Sequence, residues 1–424
     1  MTLLSICLLG VHPPYLADDY WHLCVALQRP GLGWFWTDHY AFSRMPVLII
    51  FLAAGLKTHV IENYPRVLLV FFFGIHALAL SLFVKTLIEA SGRTLSKYAS
   101  PFVGVTALFA FQPNNYEIHL WHLLSVHSMA AFLIAIVFRL KNRVTMIVLL
   151  TLGLMTYDTF ILLVIGMVCM CAVTSTSQIP AWKGWRLFLP VVLISALIWI
   201  SSKLILAHFT GFLHVLPFER SPLILLQHLL LVVRMLWTIH FYKVSWILSL
   251  FYWLAFSGLA WRAFQVKALP GRRLILLILL PTLVALPLAL NTYPAPRAYY
   301  GPQILQSVMM AYLAFLVLTE LKGRQILSYL PLMILTIIFS LEWGHVLYLK
   351  EMNYRTLTHE ETELRKVMNE CNAPCHLALP PPGKGLITDY ILPEFVWSFY
   401  YERFRLLNFP KKKIEIQIVR TPSS

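Results

Sequence analysis

Long apolar runs, separated by short basic or aromatic loops, recur along the chain as far as residue 343. Many of them approach the roughly 20 residues that an α-helix needs to cross the hydrocarbon core of a bilayer. Apolar residues make up 59% of the 424 residues, whereas charged residues make up only 12%. A water-soluble fold cannot bury that much apolar surface. The sequence therefore predicts an all-α, polytopic membrane protein.

Eleven of these runs are predicted to span the bilayer. They lie near residues 2–16, 66–88, 98–113, 119–138, 144–157, 159–175, 187–207, 245–262, 272–290, 302–320 and 325–343. Two further runs are predicted to be half-helices at the outer face. The run 45–56 is too short to cross, and the run 223–242 carries polar and basic side chains that suit the membrane interface.

Clusters of Lys and Arg set the predicted orientation, because short basic loops accumulate on the cytoplasmic side of membrane proteins. The five clusters are Arg93 with Lys97, Arg139 to Arg143, Lys183 with Arg186, Arg262 to Arg273, and Lys322 with Arg324. All five fall on one side if the two half-helices do not cross. The net charge of +15 is therefore a topology signal, and nucleic-acid binding is not expected.

The residues after 343 change character and predict a small C-terminal α/β domain, residues 344–424, on the outer side. Residues 342–368 carry charges at helical spacing, and residues 412–419 alternate like a strand. Cys371 and Cys375 flank a short polar segment, which predicts a disulfide bond if this side is oxidising. The remaining residues, 1–343, form the predicted membrane domain.

Two adjacent carboxylates, Asp18 and Asp19, directly follow the first apolar run and open a loop rich in aromatic and charged side chains. Ionisable groups at a membrane boundary are costly and often functional. One interpretation is a base that accepts a proton from a substrate hydroxyl, alone or with a divalent metal ion. The alternative is that an aspartate caps a helix that begins near Tyr20.

Other polar residues are predicted to share this outer face. Arg44 and Arg297 could pair with a phosphate group, or could extend toward lipid headgroups. Asp158 falls between two short spans, where it is either a site residue or a helix cap. Glu117 and His122 belong to a cluster with His119 and His127. The cluster would need further convergent ligands to hold a metal, so interfacial histidines are the alternative.

The order of these features resembles the membrane glycosyltransferases of the GT-C fold, which use polyprenyl-phosphate sugars. The matching elements are Asp18-Asp19-Tyr20 after a short first span, Ser43-Arg44-Met45-Pro46, and Tyr64-Pro65-Arg66 at the next long span. The bacterial serotype-converting glucosyltransferases, which decorate O-antigen, look closest. Their Gly-Arg-Pro-Leu element differs here, because Met45 separates Arg44 from Pro46 and the glycine is missing.

Three later segments fit the same resemblance. Residues 113–117 end in Glu117, at the place of a second outer loop with an acidic residue. Residues 156–159 match a polar break between two short spans. Residues 293–300 match a late outer loop whose arginine, here Arg297, approaches the lipid phosphate.

The resemblance implies a hexosyltransferase of the bacterial inner membrane with its catalytic face in the periplasm. The donor would be a polyprenyl-phosphate hexose, and the acceptor a glycan or lipid-linked saccharide such as the O-antigen of lipopolysaccharide. Asp18 or Asp19 would be the base, and Arg297 and Arg44 would bind the donor phosphate. Substrate-binding candidates are Tyr20, His22, Glu117, His122, Asp158 and Tyr299.

Two other classes of protein remain as alternatives. A transporter or flippase of a lipid-linked sugar would use the same charges for translocation, although no internal sequence repeat is evident. A catalytically inactive scaffold is the third alternative. The motifs require no cofactor, and a divalent metal ion is left open.

Overall fold

The structure is a computed structural model, and it describes part of the chain. The described residues are 65–95, 98–112, 127–157, 159–175, 181–210, 221–238, 240–241, 243–244, 246–267, 269–290, 296–320, 329–371, 375–379, 401–402, 404–405, 409 and 411–418. The predicted first span, 2–16, and the predicted half-helix, 45–56, lie outside these residues.

Helices account for most of the described residues. In chain order they are α1 (Pro65–Ala90), α2 (Ala99–Ala110), α3 (His127–Val137), α4 (Arg143–Thr156), α5 (Phe160–Thr174), α6 (Ala181–Thr210), α7 (Pro222–Trp237), α8 (Trp246–Gln265), α9 (Gly271–Ala285), α10 (Tyr300–Glu320) and α11 (Leu330–Glu370). Two short 3₁₀ helices, Leu286–Leu290 and Pro296–Tyr299, precede α10. The strands are β1 (His240–Phe241), β2 (Lys243–Val244), β3 (Cys375–Leu379) and β4 (Ile414–Ile418).

Several of these helices suit a bilayer by length and composition. Five segments are long and apolar enough to cross: Val70–Ala90, Phe188–Ile205, Trp246–Gln265, Gly271–Leu290 and Tyr300–Glu320. The other apolar helices of the described part are shorter, and Ala99–Ala110 is one of them. The chain is therefore a polytopic, all-α membrane protein. The count of eleven spans stays a prediction.

Helix α10 forms the centre of the bundle. Every residue from Tyr300 to Val317 is buried, and the helix packs against α1, α2, α5, α8 and α9. Gly166 of α5 makes one of these contacts close, because a Cβ atom there would meet three Leu305 side-chain carbons at 3.0 Å or less. A small residue at a helix contact lets two backbones approach within a membrane.

Charged residues pair at one end of the bundle. Arg93 bonds Glu320 at 2.6 Å, Arg139 pairs with Glu89, and Arg273 donates to the carbonyl of Ser175. These arginines come from three of the predicted cytoplasmic clusters. The structure thus brings them to a common end, as predicted, while the side of the membrane that this end faces stays a prediction.

Helix α7 covers the second run that was predicted to be a half-helix. It has 16 residues and is shorter than the five long apolar segments. His228 Nδ1 lies 3.0 Å from the carbonyl oxygen of Ala289, and the Trp237 indole donates to Thr282 at 2.7 Å. Helix α7 therefore packs on the end of α9 that lies away from the charged pairs.

Helix α11 runs for 41 residues and continues across the predicted domain boundary at residue 344 without a break. Beyond it, β3 pairs in parallel with β4, from Cys375 opposite Ile414 to Leu379 opposite Ile418. The strand predicted within residues 412–419 is therefore confirmed, whereas β3 was missed.

Three hydrogen bonds from Lys412 tie the C-terminal segment to the end of α11. The Lys412 ammonium donates to the carbonyls of Met368 and Asn369 at 2.9 Å and of Cys371 at 3.2 Å. A cation at this position stabilises the negative end of the helix dipole. Cys371 is disulfide-bonded, in line with the predicted bond, although the side chain of Cys375 lies outside the described residues.

Candidate functional site

Most of the predicted site residues lie outside the described part of the chain. These residues are Asp18, Asp19, Tyr20, His22, Arg44, Glu117, His122 and Asp158. Their roles therefore stay predictions. For Arg297 the structure describes the backbone, which lies in the 3₁₀ helix Pro296–Tyr299, but not the side chain. Tyr299 is described in full.

A buried group of polar side chains lies at the end of the bundle that is remote from the charged pairs. We call His76, His127, Ser128 and Tyr300 the polar cluster. The Tyr300 hydroxyl is 2.8 Å from His76 Nδ1 and 3.4 Å from Ser128 Oγ. Because these residues belong to α1, α3 and α10, the cluster joins three helices just where the central helix begins.

His127 shows how aromatic residues enclose this cluster. Its ring centroid lies 4.8 Å from that of Tyr157, edge to face, and 6.1 Å from that of Phe160. The ring of Phe160 in turn packs 5.9 Å from Tyr300. His127 is fully buried within the bundle, whereas Glu117, His119 and His122 lie outside the described residues, so both interpretations of their cluster stay predictions. The apolar sequence around it in α3 gave no sign of this aromatic enclosure.

Tyr299 is a predicted substrate-binding residue, and in the chain it directly precedes Tyr300 of the polar cluster. Its side chain is fully buried, and its hydroxyl has no hydrogen-bond partner among the described residues. Burial raises the pKa of Tyr299 above its ordinary value, so the hydroxyl stays protonated at neutral pH. A buried hydroxyl without a partner is costly.

A second set of buried polar side chains continues along α10, and we call it the glutamine cluster. Gln306 donates to the Tyr252 hydroxyl at 3.0 Å and accepts from Gln112 at 3.1 Å. Ser307 donates to Gln112 at 2.6 Å, and Gln303 donates to the carbonyl of Met235 at 3.2 Å. The polar groups of these side chains thus satisfy one another's hydrogen-bonding capacity, and the bonds hold α2 and α8 against α10.

One buried carboxylate was missed by the sequence analysis. Glu342 is the one acidic side chain that is buried among the described residues, and 4% of its surface is exposed. The next residue, Trp343, donates its indole N–H to the carbonyl of Phe111 at 2.6 Å. Since Phe111 closes α2 beside Gln112, Glu342 lies near the end of the bundle that carries the polar cluster. A buried ionisable residue in a membrane helix is a candidate functional residue.

The described residues do not test whether the protein binds a divalent metal ion. They contain no group of three or more His, Cys, Asp or Glu side chains that could hold a metal ion. The alternative of a divalent metal ion involves Asp18 and Asp19, which are outside this part of the chain. The described cluster is instead rich in hydroxyl and imidazole groups, which can bond to the hydroxyls of a sugar or to a phosphate.

The polar residues that sequence reasoning missed share a recognisable signal. His76, Gln303, Gln306 and Ser307 are polar side chains inside runs that are otherwise apolar. Polar side chains within membrane helices usually face the bundle interior. That rule would have predicted that these four side chains are buried, but it would not have predicted their hydrogen-bond partners.

Comparison with known proteins assigns no family to the chain. No protein-family model matches it, and neither a curated protein nor a solved structure matches it. The resemblance to the GT-C glycosyltransferases therefore rests on the order of the sequence motifs alone.

Proposed function

We propose that the chain is an integral-membrane glycosyltransferase that moves a hexose from a polyprenyl-phosphate donor to a hydroxyl of a glycan or lipid-linked saccharide. The reaction takes place at the end of the bundle that carries the polar cluster. This end faces the periplasm of the bacterial inner membrane, where the acceptor would be an O-antigen of lipopolysaccharide. The small C-terminal α/β domain, residues 344–424, lies on the same side as the reaction.

The position of Arg297 in the fold is the observation that carries this proposal. Its backbone lies in the 3₁₀ helix that leads directly into α10. Tyr300, the first residue of α10, is held by His76 and Ser128. The segment is thus anchored to the most buried helix of the described bundle. An arginine there can pair with a phosphate in two-point geometry and stabilise the charge of the leaving group. Arg44 is the second proposed phosphate ligand.

The proposed reaction is a direct displacement at the anomeric carbon. The acceptor oxygen attacks that carbon as Asp18 or Asp19 takes its proton. The bond from the anomeric carbon to the phosphate oxygen breaks, and its electron pair leaves with the polyprenyl phosphate. The configuration at the anomeric carbon is inverted relative to the donor. A divalent metal ion on the carboxylates would assist by polarising the phosphate.

Hydroxyl-binding groups complete the proposed site. Tyr299 supports this part, because its buried hydroxyl has no hydrogen-bond partner among the described residues and it lies two residues after Arg297 in the chain. Glu342 adds a buried carboxylate near the same end of the bundle. The other proposed substrate contacts are Tyr20, His22, Glu117, His122 and Asp158.

Substitution of the two carboxylates tests the proposal. Asp18→Asn and Asp19→Asn are compared with wild type in isolated membranes that contain the lipid-linked donor, with Glu363→Gln as a control at an exposed carboxylate. Loss of a general base should lower turnover on the order of a hundredfold or more in at least one variant. Donor binding should persist, because the carboxylate acts mainly in the transition state.

A second assay separates the proposal from the flippase alternative. The same variants are placed in sealed vesicles, and the movement of a lipid-linked sugar across the bilayer is followed. The proposal expects translocation to be equal in all of them. Near-normal transfer in both Asp variants together with lost translocation would replace the glycosyltransferase with a flippase.

A further inference from the structure

Helix α7 enters the bundle from the end that carries the polar cluster. His228 Nδ1 lies 3.0 Å from the carbonyl oxygen of Ala289, and farther along the helix the Trp237 indole donates to Thr282 at 2.7 Å. Residue 282 lies closer than residue 289 to Arg273, which bonds at the charged end of the bundle. The chain therefore advances along α7 toward the charged end.

The direction of the neighbouring helix α8 is fixed by its contacts with α11. Tyr252 packs against Phe339, with ring centroids 6.5 Å apart, and a Cβ atom on Gly258 would meet Pro331 at 3.3 Å. Helix α11 runs from Pro331 toward Trp343, which lies near the polar-cluster end. Helix α8 therefore begins at that end and runs toward the charged end.

Trp237, the last residue of α7, lies well inside the bundle. Its ring stacks on Trp253 at 5.3 Å and lies 5.0 Å from Phe256. Trp253 is seven residues after Trp246, the first residue of α8, which is roughly 10 Å along a helix. The chain returns from Trp237 through β1 and β2 to Trp246. Helix α7 and the two strands are thus a re-entrant segment, which enters and leaves the bundle at the same end.

The face of α7 that points away from the bundle is mostly apolar. Its large exposed apolar side chains are Leu223, Ile224, Leu226, Leu230 and Val233. Gln227 and Arg234 are exposed as well. Because they are seven residues apart, they lie on one stripe of the helix.

Arg234 brings a positive charge to this face. Its guanidinium makes no hydrogen bond or ion pair with the described residues. A cation in a membrane segment is costly unless it reaches water or an anion. Since the Cα–Cβ bonds of a helix tilt toward its N-terminus, that of Arg234 tilts toward the membrane surface at the polar-cluster end. The charge is therefore placed to meet lipid headgroups there.

An anionic phospholipid complements this face. Its acyl chains suit the apolar side chains, and its phosphate can accept two parallel hydrogen bonds from a guanidinium. Arg234 is the one Lys, Arg, Asp or Glu residue of α7. A lipid with one negative charge neutralises it, whereas a zwitterionic lipid leaves a net positive charge.

We propose that the outward face of α7 binds an anionic phospholipid of the leaflet at this end, with the lipid phosphate on Arg234. The site goes beyond the proposed function and does not depend on it, because the proposed sugar transfer gives α7 no role. The polyprenyl-phosphate donor and unselective contact with bulk lipid are the competing occupants.

Photocrosslinking of the full chain in a neutral detergent tests the proposal. The probe is phosphatidylglycerol with a diazirine in one acyl chain, and the labelled peptides are identified by mass spectrometry. Label should concentrate in residues 222–237. Unlabelled phosphatidylglycerol should displace it at a lower concentration than phosphatidylcholine or polyprenyl phosphate does.

Substitutions show whether this selectivity depends on Arg234. Arg234→Ala should reduce the label roughly fivefold, because one basic residue near a membrane surface has about that effect on anionic-lipid binding. Arg234→Lys keeps the charge and should keep most of the label. Lys411→Ala removes an exposed cation beyond the end of α11 and should label like wild type. Arg234→Gln replaces Arg234→Ala if the shorter side chain weakens the fold.

Competition and substitution can each overturn the proposal. Equal displacement by phosphatidylglycerol and phosphatidylcholine would reduce the face to unselective lipid contact. Displacement by polyprenyl phosphate at the lowest concentration would assign the face to the donor. Undiminished label in Arg234→Ala, or an equal fall in Lys411→Ala, would remove Arg234 from the site.

Discussion

The phenol oxygen of Tyr300 lies 2.8 Å from Nδ1 of His76, although 224 residues separate them in the chain. Both side chains are buried. The contact joins the first long helix of the described part to the start of the central helix, next to the segment that contains Arg297. It makes the candidate site a product of tertiary packing rather than of a local motif.

Removing this hydroxyl should weaken the bundle measurably. We expect Tyr300→Phe to lower the free energy of unfolding by about 0.6 kcal/mol and at most by about 1.7 kcal/mol, which are the average and the maximum for hydrogen bonds between membrane helices. Tyr329→Phe is the matched control, because Tyr329 is exposed. Equilibrium unfolding in mixed micelles measures both variants. Equal stability of the two would show that the contact with His76 contributes nothing.

The apolar pattern predicted much of the membrane region. The runs 66–88, 144–157 and 302–320 correspond closely to Pro65–Ala90, Arg143–Thr156 and Tyr300–Glu320. A helix that crosses lipid must be long and apolar, and the local sequence alone is enough to show both properties. A polar helix over residues 342–368 was also predicted, whereas its unbroken union with the preceding apolar run in α11 was not. The change from apolar to charged residues alters the solvent of the helix and not its backbone.

The contents of the site were harder to predict. His76, Ser128 and Tyr300 come from three distant runs, and no local pattern specifies which polar side chains will meet. Tyr299 was selected as part of the segment 293–300, and the structure shows that it is buried, while its role in substrate binding stays a prediction. Glu342 was assigned to a polar helix because charged residues follow it, whereas packing against the bundle has buried it.

Orientation can be tested with two exposed lysines at opposite ends of the molecule. Lys141 belongs to the basic cluster of Arg139, and Lys413 lies next to the residue that caps α11. We expect Lys413→Cys to react with a membrane-impermeant maleimide in intact spheroplasts. Lys141→Cys should react only after permeabilisation, because basic loops stay cytoplasmic. Wild type measures the background from native cysteines. The reverse pattern would contradict the periplasmic location of the site.

Glu342→Gln should separate a functional carboxylate from a structural one. The amide keeps the shape and removes the charge, so the cost of burying a carboxylate disappears and stability should not fall. Sugar transfer should fall by roughly tenfold or more, because a bond from a substrate hydroxyl to a charged acceptor is lost.

The matched control for Glu342 is Glu363→Gln, an exposed carboxylate on the same helix. Thermal unfolding and transfer rate are measured on the same preparations. A loss of stability with an unchanged transfer rate per folded molecule would make Glu342 a structural residue.

Arg297→Ala and Arg297→Lys should distinguish phosphate binding from headgroup anchoring. The donor phosphate is already anionic in the ground state. Loss of the guanidinium should therefore raise the donor concentration for half-maximal transfer by roughly tenfold or more, and also slow departure of the leaving group. Arg297→Lys should rescue only in part, because an ammonium keeps the charge but not the planar two-point geometry. Transfer rate is measured against donor concentration at matched protein levels.

Arg272→Ala, an exposed arginine at the other end of the bundle, is the control. If Arg297→Ala has the donor dependence of this control, Arg297 anchors the chain to headgroups and does not bind the donor.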